Sequence, residues 1–171
     1  LPFICLQKAN TRLNDSPQTI PLRLIWEKKL ADLHTPVGLY LKLRDRYPQT
    51  LLLESADYHG KENALSFLCL EPWAEFKVEN EIGTVRIGES LESFTVSRNR
   101  KDLIQSLEKF LGRFQKPANP APPVMSLGAF GFMGYDALSY FEDIELNRKP
   151  NQVSGIPTAL YKVFRFVLVF D

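Results

Sequence analysis

The residues best placed to do chemistry stand together in Leu51-Leu52-Leu53-Glu54-Ser55-Ala56-Asp57. Three successive leucines predict a strand buried on both faces. The run then turns at once to a carboxylate, a hydroxyl, a small residue and a second carboxylate. A rigid strand that ends this way holds its polar groups still at the margin of a core, where a small charged ligand can be gripped. Glu54 can accept hydrogen bonds from an ammonium group, and Ser55 can donate to a carboxylate or accept from an amine. The leucine wall behind them can cover a ring. An amino acid carries both charges on one carbon and suits this set. The competing explanation is that Glu54 and Ser55 only cap the strand and its turn.

Other chemistries find less support. The two histidines, His34 and His59, form no HExxH pattern, and no CxxC is present, so no metal site is expected. No Ser/His/Asp or Cys/His set suggests itself, and adjacent acids such as Glu142-Asp143 read as solvated loop residues. Gly128-x-x-Gly131-x-x-Gly134 is not the G-x-G-x-x-G phosphate-binding spacing, and aromatics fill its gaps. Cys5 and Cys69 sit among apolar neighbours and read as small buried hydrophobes, with a disulfide neither required nor excluded. A formal net charge of +1 gives no electrostatic reason to expect nucleic acid or an anionic membrane. No apolar run approaches a membrane span, and no secretory signal opens the chain, which makes the cytoplasm the default location.

The elements that would position the ledge follow from periodicity. With 171 residues, 44% hydrophobic and 24% charged, the chain fits one globular domain or one large piece of a bigger protein. Ile20 to Glu27 alternates, apolar at 20, 22, 24 and 26, as a strand with one buried face. Thr35-Pro36 reads as N-cap and first residue of a helix to about Arg46, with Lys42, Arg44 and Arg46 near its carbonyl end. That helix leads straight into Leu51. Ala64 to Leu70 is a short apolar run limited by Pro72. Phe76–Glu79 and Thr84–Gly88 alternate around Asn80-Glu81-Ile82-Gly83 as a hairpin, and Leu91–Val96 extends or edges the same sheet. Lys101 to Phe114 carries Leu103, Ile104, Leu107, Phe110, Leu111 and Phe114 on one helical face, with Asn99 as N-cap and Asp102 three residues on.

Four prolines between Lys116 and Pro123 predict an extended connector. The glycines at 128, 131 and 134 predict a strand closely approached by another backbone, Asp136 to Phe141 a helical turn, and Pro157 to Phe170 a long strand. That apolar strand ends flush with Asp171, which suggests a piece of a longer polypeptide. The expected fold is α+β: a mostly antiparallel sheet with helices 35–46 and 100–115 packed on one face.

Several of these stretches, in this order, have a counterpart in a known family. They are Thr35-Pro36-Val37 with Leu39-Tyr40-Leu41-Lys42-Leu43, then Leu51-Leu52-Leu53-Glu54-Ser55, and Pro72-Trp73-Ala74-Glu75-Phe76. Gly128 to Asp136 with Tyr140-Phe141-Glu142 follows, then Pro157 with Val167-Leu168-Val169-Phe170-Asp171. Over roughly residues 20–171 the chain resembles the N-terminal part of component I of anthranilate synthase. The resemblance implies that residues 1–171 form the N-terminal regulatory domain of an enzyme making anthranilate and pyruvate from chorismate and glutamine-derived ammonia. It implies no catalytic residue and no cofactor in this chain, the chorismate and Mg²⁺ sites belonging to an absent C-terminal half. It further implies three partners: that half, a glutamine amidotransferase component II, and L-tryptophan as feedback inhibitor.

The family's leucine-leucine-glutamate-serine motif falls on Leu52, Leu53, Glu54 and Ser55. The implied tryptophan site is therefore Leu53, Glu54, Ser55 and Ala56, with Ser66. One departure stands out. Some members of the family place a basic residue near the segment matching Ala64–Phe67, whereas here Lys61 is the nearest cation. Either the backbone and Ser66 take its role or tryptophan binds less tightly. Two rivals remain: component I of aminodeoxychorismate synthase, of folate synthesis, and a scaffold module with no ligand.

Overall fold

The computed structural model describes residues 3–9, 19–30, 32–54, 65–115, 128–144 and 155–170. Their backbone falls into two compact units. The first draws on Leu1–Pro72, Phe114–Gly128 and Phe164–Asp171, the second on Trp73–Arg113 and Ala129–Val163.

In the first unit, β1 (Phe3–Ala9) pairs antiparallel with β2 (Ile20–Lys28) and with the later residues of β9 (Ala159–Phe170). The alternation expected in β2 holds over Ile20, Leu22 and Leu24, of which Leu24 is buried; beyond it Trp26 is exposed. Helix α1 covers Pro36–Leu43. Its start is the one the sequence predicts: Thr35 is extended, Pro36 opens the helix, and the Gly38 amide donates to Thr35 Oγ1 at 3.0 Å. The helix is shorter than expected. Amides of Arg44, Arg46 and Tyr47 close onto carbonyls of Tyr40 and Leu43, winding the chain out of the helix. Gln49 then takes a left-handed φ of 64°, and the Thr50 hydroxyl donates to the Tyr47 carbonyl at 2.5 Å. This turn delivers β3 (Leu51–Glu54) antiparallel onto the first residues of β4 (Ser66–Glu79). A cluster of buried Leu68, Leu70 and Phe170 gathers Leu39, Tyr40, Leu43, Tyr47 and Leu52 around it, so α1 lies over the face that carries Leu52.

β4 corrects one expectation. Pro72 does not end the strand; β4 runs through it for 14 residues. Glu71 sits at φ 54°, in the left-handed region, and Pro72 follows with no amide to give a ladder. The irregularity is absorbed between two registers. β4 pairs with β3 up to Cys69 and with β5 (Ile82–Ile87) from Ala74.

The second unit is a meander. Asn80 and Glu81, both at positive φ (51° and 65°), form a two-residue turn between β4 and β5, of the primed kind whose twist matches that of a hairpin. It is tighter than the four-residue turn expected. Gly88, at φ 58°, turns β5 into β6 (Ser90–Thr95). Helix α2 runs Arg100–Leu111, and Asn99 Oδ1 accepts from the Asp102 amide at 2.8 Å. Hydrogen bonds from the Ser97 side chain first, then from that of Asn99, hold the Asp102 carboxyl below its usual range. The helix stops at Leu111, three residues earlier than expected. Phe114 and Gln115 instead form β7 in the first unit, parallel to β2 at Ile20 and Pro21. Phe110 and Leu103 are fully buried with Phe76, Val78 and Val96, and the rings of Phe76 and Phe110 lie 5.8 Å apart.

β8 (Phe130–Met133) pairs antiparallel with the first residues of β9. Gly131 explains the glycine pattern: a Cβ there would fall on the Leu160 carbonyl, so the close backbone approach read from the sequence is present. The Gly134 amide continues the ladder to the Thr158 carbonyl at 2.8 Å. A 3₁₀ turn (Tyr135–Ala137) and the short helix α3 (Leu138–Phe141) follow, as the sequence led one to expect. Strand order is β6-β5-β4-β9 in the second unit and β9-β1-β2-β7 in the first. Every register given above is antiparallel except that of β2 with β7, and the fold is α+β.

Candidate functional site

Of the ledge foreseen at Leu51–Asp57, the described residues Leu51–Glu54 are β3 itself. Its register fixes the geometry. Leu52 stands opposite Leu68, and two rungs further Glu54 stands opposite Ser66. Strand residues two apart share a face, so Glu54 and Ser66 lie on the face of the Leu52–Leu68 core, just past its edge. Directly opposed residues hold their Cβ atoms about 4.5–5.5 Å apart. An acid and an alcohol at that separation can take the same ammonium group between them, with the leucines behind to meet apolar substituents. Leu53, opposite Phe67, belongs to the other face.

The three leucines are not buried on both faces as expected. Leu51 and Leu52 are half-buried and Leu53 is 36% exposed. Among the described residues β3 pairs with β4 alone, so it is a marginal strand whose cover thins toward Glu54. Glu54 is exposed, and an exposed carboxylate gains little from a cation while water competes for both. A strong grip at this rung therefore needs a cover over it. Ser55 and Ala56 lie outside the described residues, as do Lys61, His59 and the proline-rich connector.

β4 is buried on both faces at the neighbouring rungs, where Leu68 and Cys69 have no exposure. Cys69 is a free thiol, and burial pushes its pKa up to about 12, so it is neutral and inert at physiological pH. Cys5 has no described side chain. Among the described residues no three His, Cys, Asp or Glu side chains gather as a metal site.

One polar group escaped the sequence reading. Glu75 Oε2 lies 3.1 Å from Lys162 Nζ and 3.6 Å from Arg86 Nη2, all three largely covered. The carboxylate ties β4 to β5 and β9 within the second unit. No spacing signal could reveal it, because its partners lie 11 and 87 residues away in the chain.

The fold and the rung define a class: an α+β sheet module with an acid–alcohol pair at the end of a marginal strand. Its relatives are more specific. The chain is 33% identical to anthranilate synthase component 1 of Pseudomonas putida over 144 residues, 83% of this chain and 28% of that protein. It is 33% identical to the Pseudomonas aeruginosa protein of the same name over 159 residues (92% and 30%) and 31% identical to that of Thermus thermophilus over 144 (83% and 28%). No family model matches, and neither does a solved structure. Over most of its length the chain is therefore similar to component 1 of anthranilate synthase, in the N-terminal part of those proteins. It spans less than a third of their length.

Proposed function

We propose that this chain is the N-terminal regulatory part of an anthranilate synthase component I. The complete polypeptide then converts chorismate and ammonia to anthranilate and pyruvate, in tryptophan synthesis in the cytoplasm. The ammonia comes from glutamine through a component II amidotransferase. Chorismate and Mg²⁺ are held by the downstream half, and this part alone turns over no substrate. L-Tryptophan binds at the Glu54–Ser66 rung, with Ser55 and Ala56 of the same stretch and the backbone, not the side chain, of Leu53, and the downstream half closes over it.

The observation that carries this reading is the register. The acid of the leucine-leucine-glutamate-serine stretch stands directly opposite a second hydroxyl, on the face of an apolar core. An α-amino acid with a large ring matches that arrangement. Its ammonium fits between Glu54 and Ser66, and its ring fits the leucine side. The exposure of Glu54 agrees with a pocket completed from elsewhere.

Inhibition would be a population shift. Tryptophan favours an arrangement of the two halves in which chorismate is not enclosed, and chorismate disfavours tryptophan by the same factor. Coupling of this kind is typically ~1–3 kcal/mol, or roughly 5–150-fold in affinity.

The test is an assay of the full-length polypeptide with chorismate, Mg²⁺ and ammonium. Anthranilate formation, suppressed by L-tryptophan, supports the proposal. An aminodeoxychorismate product, or anthranilate formation indifferent to tryptophan, contradicts the enzymatic or the regulatory part respectively.

A further inference from the structure

In the second unit the outward side of the 3₁₀ turn and α3 is apolar. Ala137 and Tyr140 are buried, as the inner side of a short amphipathic segment should be. The other side repeats at every third residue: Tyr135, Leu138, Phe141 and Ile144 are all exposed, Tyr135 by 77%, and Phe132 on β8 is exposed two residues ahead of the glycine that starts the turn. Helix α2 of the same unit shows what this chain puts toward water when water is the destination. Lys101, Gln105, Glu108 and Lys109 are exposed there, and Leu111, at the helix end, is the one large apolar residue among them. A run of exposed aromatic and aliphatic residues over so short a segment is the kind of surface that marks an interaction site, and aromatic side chains are the usual anchors of one. Its rim is acidic: Glu142 and Asp143 are exposed.

From this we infer that the Tyr135–Ile144 stripe is a docking surface for the downstream part of the same polypeptide, through an apolar patch edged by basic residues. The inference rests on the functional reading above and adds the surface to it. The relatives supply the occupant. This chain spans 28–30% of their length, so more than two thirds of each lies beyond the matched region. A permanent intrachain contact buries aromatics without charged residues at its centre, as this stripe would. Complementary rims then set its orientation.

Hydroxyl-radical footprinting tests this on side chains directly. The full-length polypeptide and the 171-residue chain are oxidised in parallel, and Tyr135, Phe141 and Phe76 are followed by mass spectrometry. Tyr135 and Phe141 should react several-fold more slowly in the full-length protein, while the buried Phe76 is slow in both. Equal rates for Tyr135 in the two proteins overturn the inference. So does protection already present in the 171-residue chain and lost on dilution, which would make a second copy the occupant. Protection in a full-length protein that forms no anthranilate leaves the docking surface standing and removes the enzymatic reading.

Discussion

Helices α2 and α1, one in each unit, cover their clusters differently. In the second unit a three-strand meander and α2 close over a complete core, and five side chains there, Phe76, Val78, Val96, Leu103 and Phe110, have at most 1% exposure. In the first unit α1 has no fully buried residue, and the cluster it covers is three buried side chains ringed by half-buried ones. The candidate ligand rung sits at the margin of that thinner cluster. A pocket that must open, admit an amino acid and be covered belongs where little is lost on opening it.

Substitutions can break this contrast. Phe110→Ala should cost about 3–5 kcal/mol, the usual range for emptying a buried phenylalanine site. Leu52→Ala, on the half-buried side of the other cluster, should cost under half as much. Urea unfolding of both variants checks the ratio, and equal losses would mean that the two cores are alike.

Gly131→Ala comes next. Its Cβ meets the Leu160 carbonyl, backbone that cannot swing aside, so β8 and β9 must part at that rung, at roughly 1–3 kcal/mol. Hydrogen exchange should speed up at Phe132 and Tyr161, while amides of β1 and β2 are unchanged.

Cys69 makes the comparison one of pH. Its folded pKa, about 12, lies above the ordinary 9.0. A thiol raised in this way leaves stability intact below pH 9, and stability is lost as pH rises from 9 toward 12, where the unfolded chain ionises and the folded one does not. Cys69→Ala should flatten that decline in a denaturation series.

The smallest effect belongs to the surface. The Arg113 guanidinium grips Glu92 through two hydrogen bonds, at 2.7 and 2.6 Å, and holds its carboxyl below the ordinary 4.5. The contribution is present above pH 4.5 and lost as pH falls through the lowered value. Because Glu92 is mostly solvated, Glu92→Gln should cost no more than ~1 kcal/mol at pH 7.

Local signals carried much of the fold. Thr35-Pro36 and Asn99 announced their helices because a cap is a contact three residues long. The β4–β5 hairpin was visible because its alternation survives on both sides of a turn. What the sequence concealed was non-local. β1 shows no clean alternation and is defined by two neighbours, β2 and β9, far along the chain. β7 is two residues long and exists only through β2. Pro72 read as a terminator because nothing local shows that Glu71 accepts a left-handed conformation. At the site, the type and order of Leu53, Glu54 and Ser55 suggested an amino-acid ligand. That Ser66 faces Glu54 could not be read from spacing, because it depends on the register between β3 and β4.

Calorimetric titration of the full-length protein with L-tryptophan and with indole-3-propionate, which keeps the ring but lacks the ammonium group, tests the rung most directly. The account predicts saturable tryptophan binding that weakens at least about tenfold in Glu54→Gln, on the order of 1.4 kcal/mol, with indole-3-propionate weak in both proteins. Tryptophan binding of unchanged strength in Glu54→Gln would contradict it.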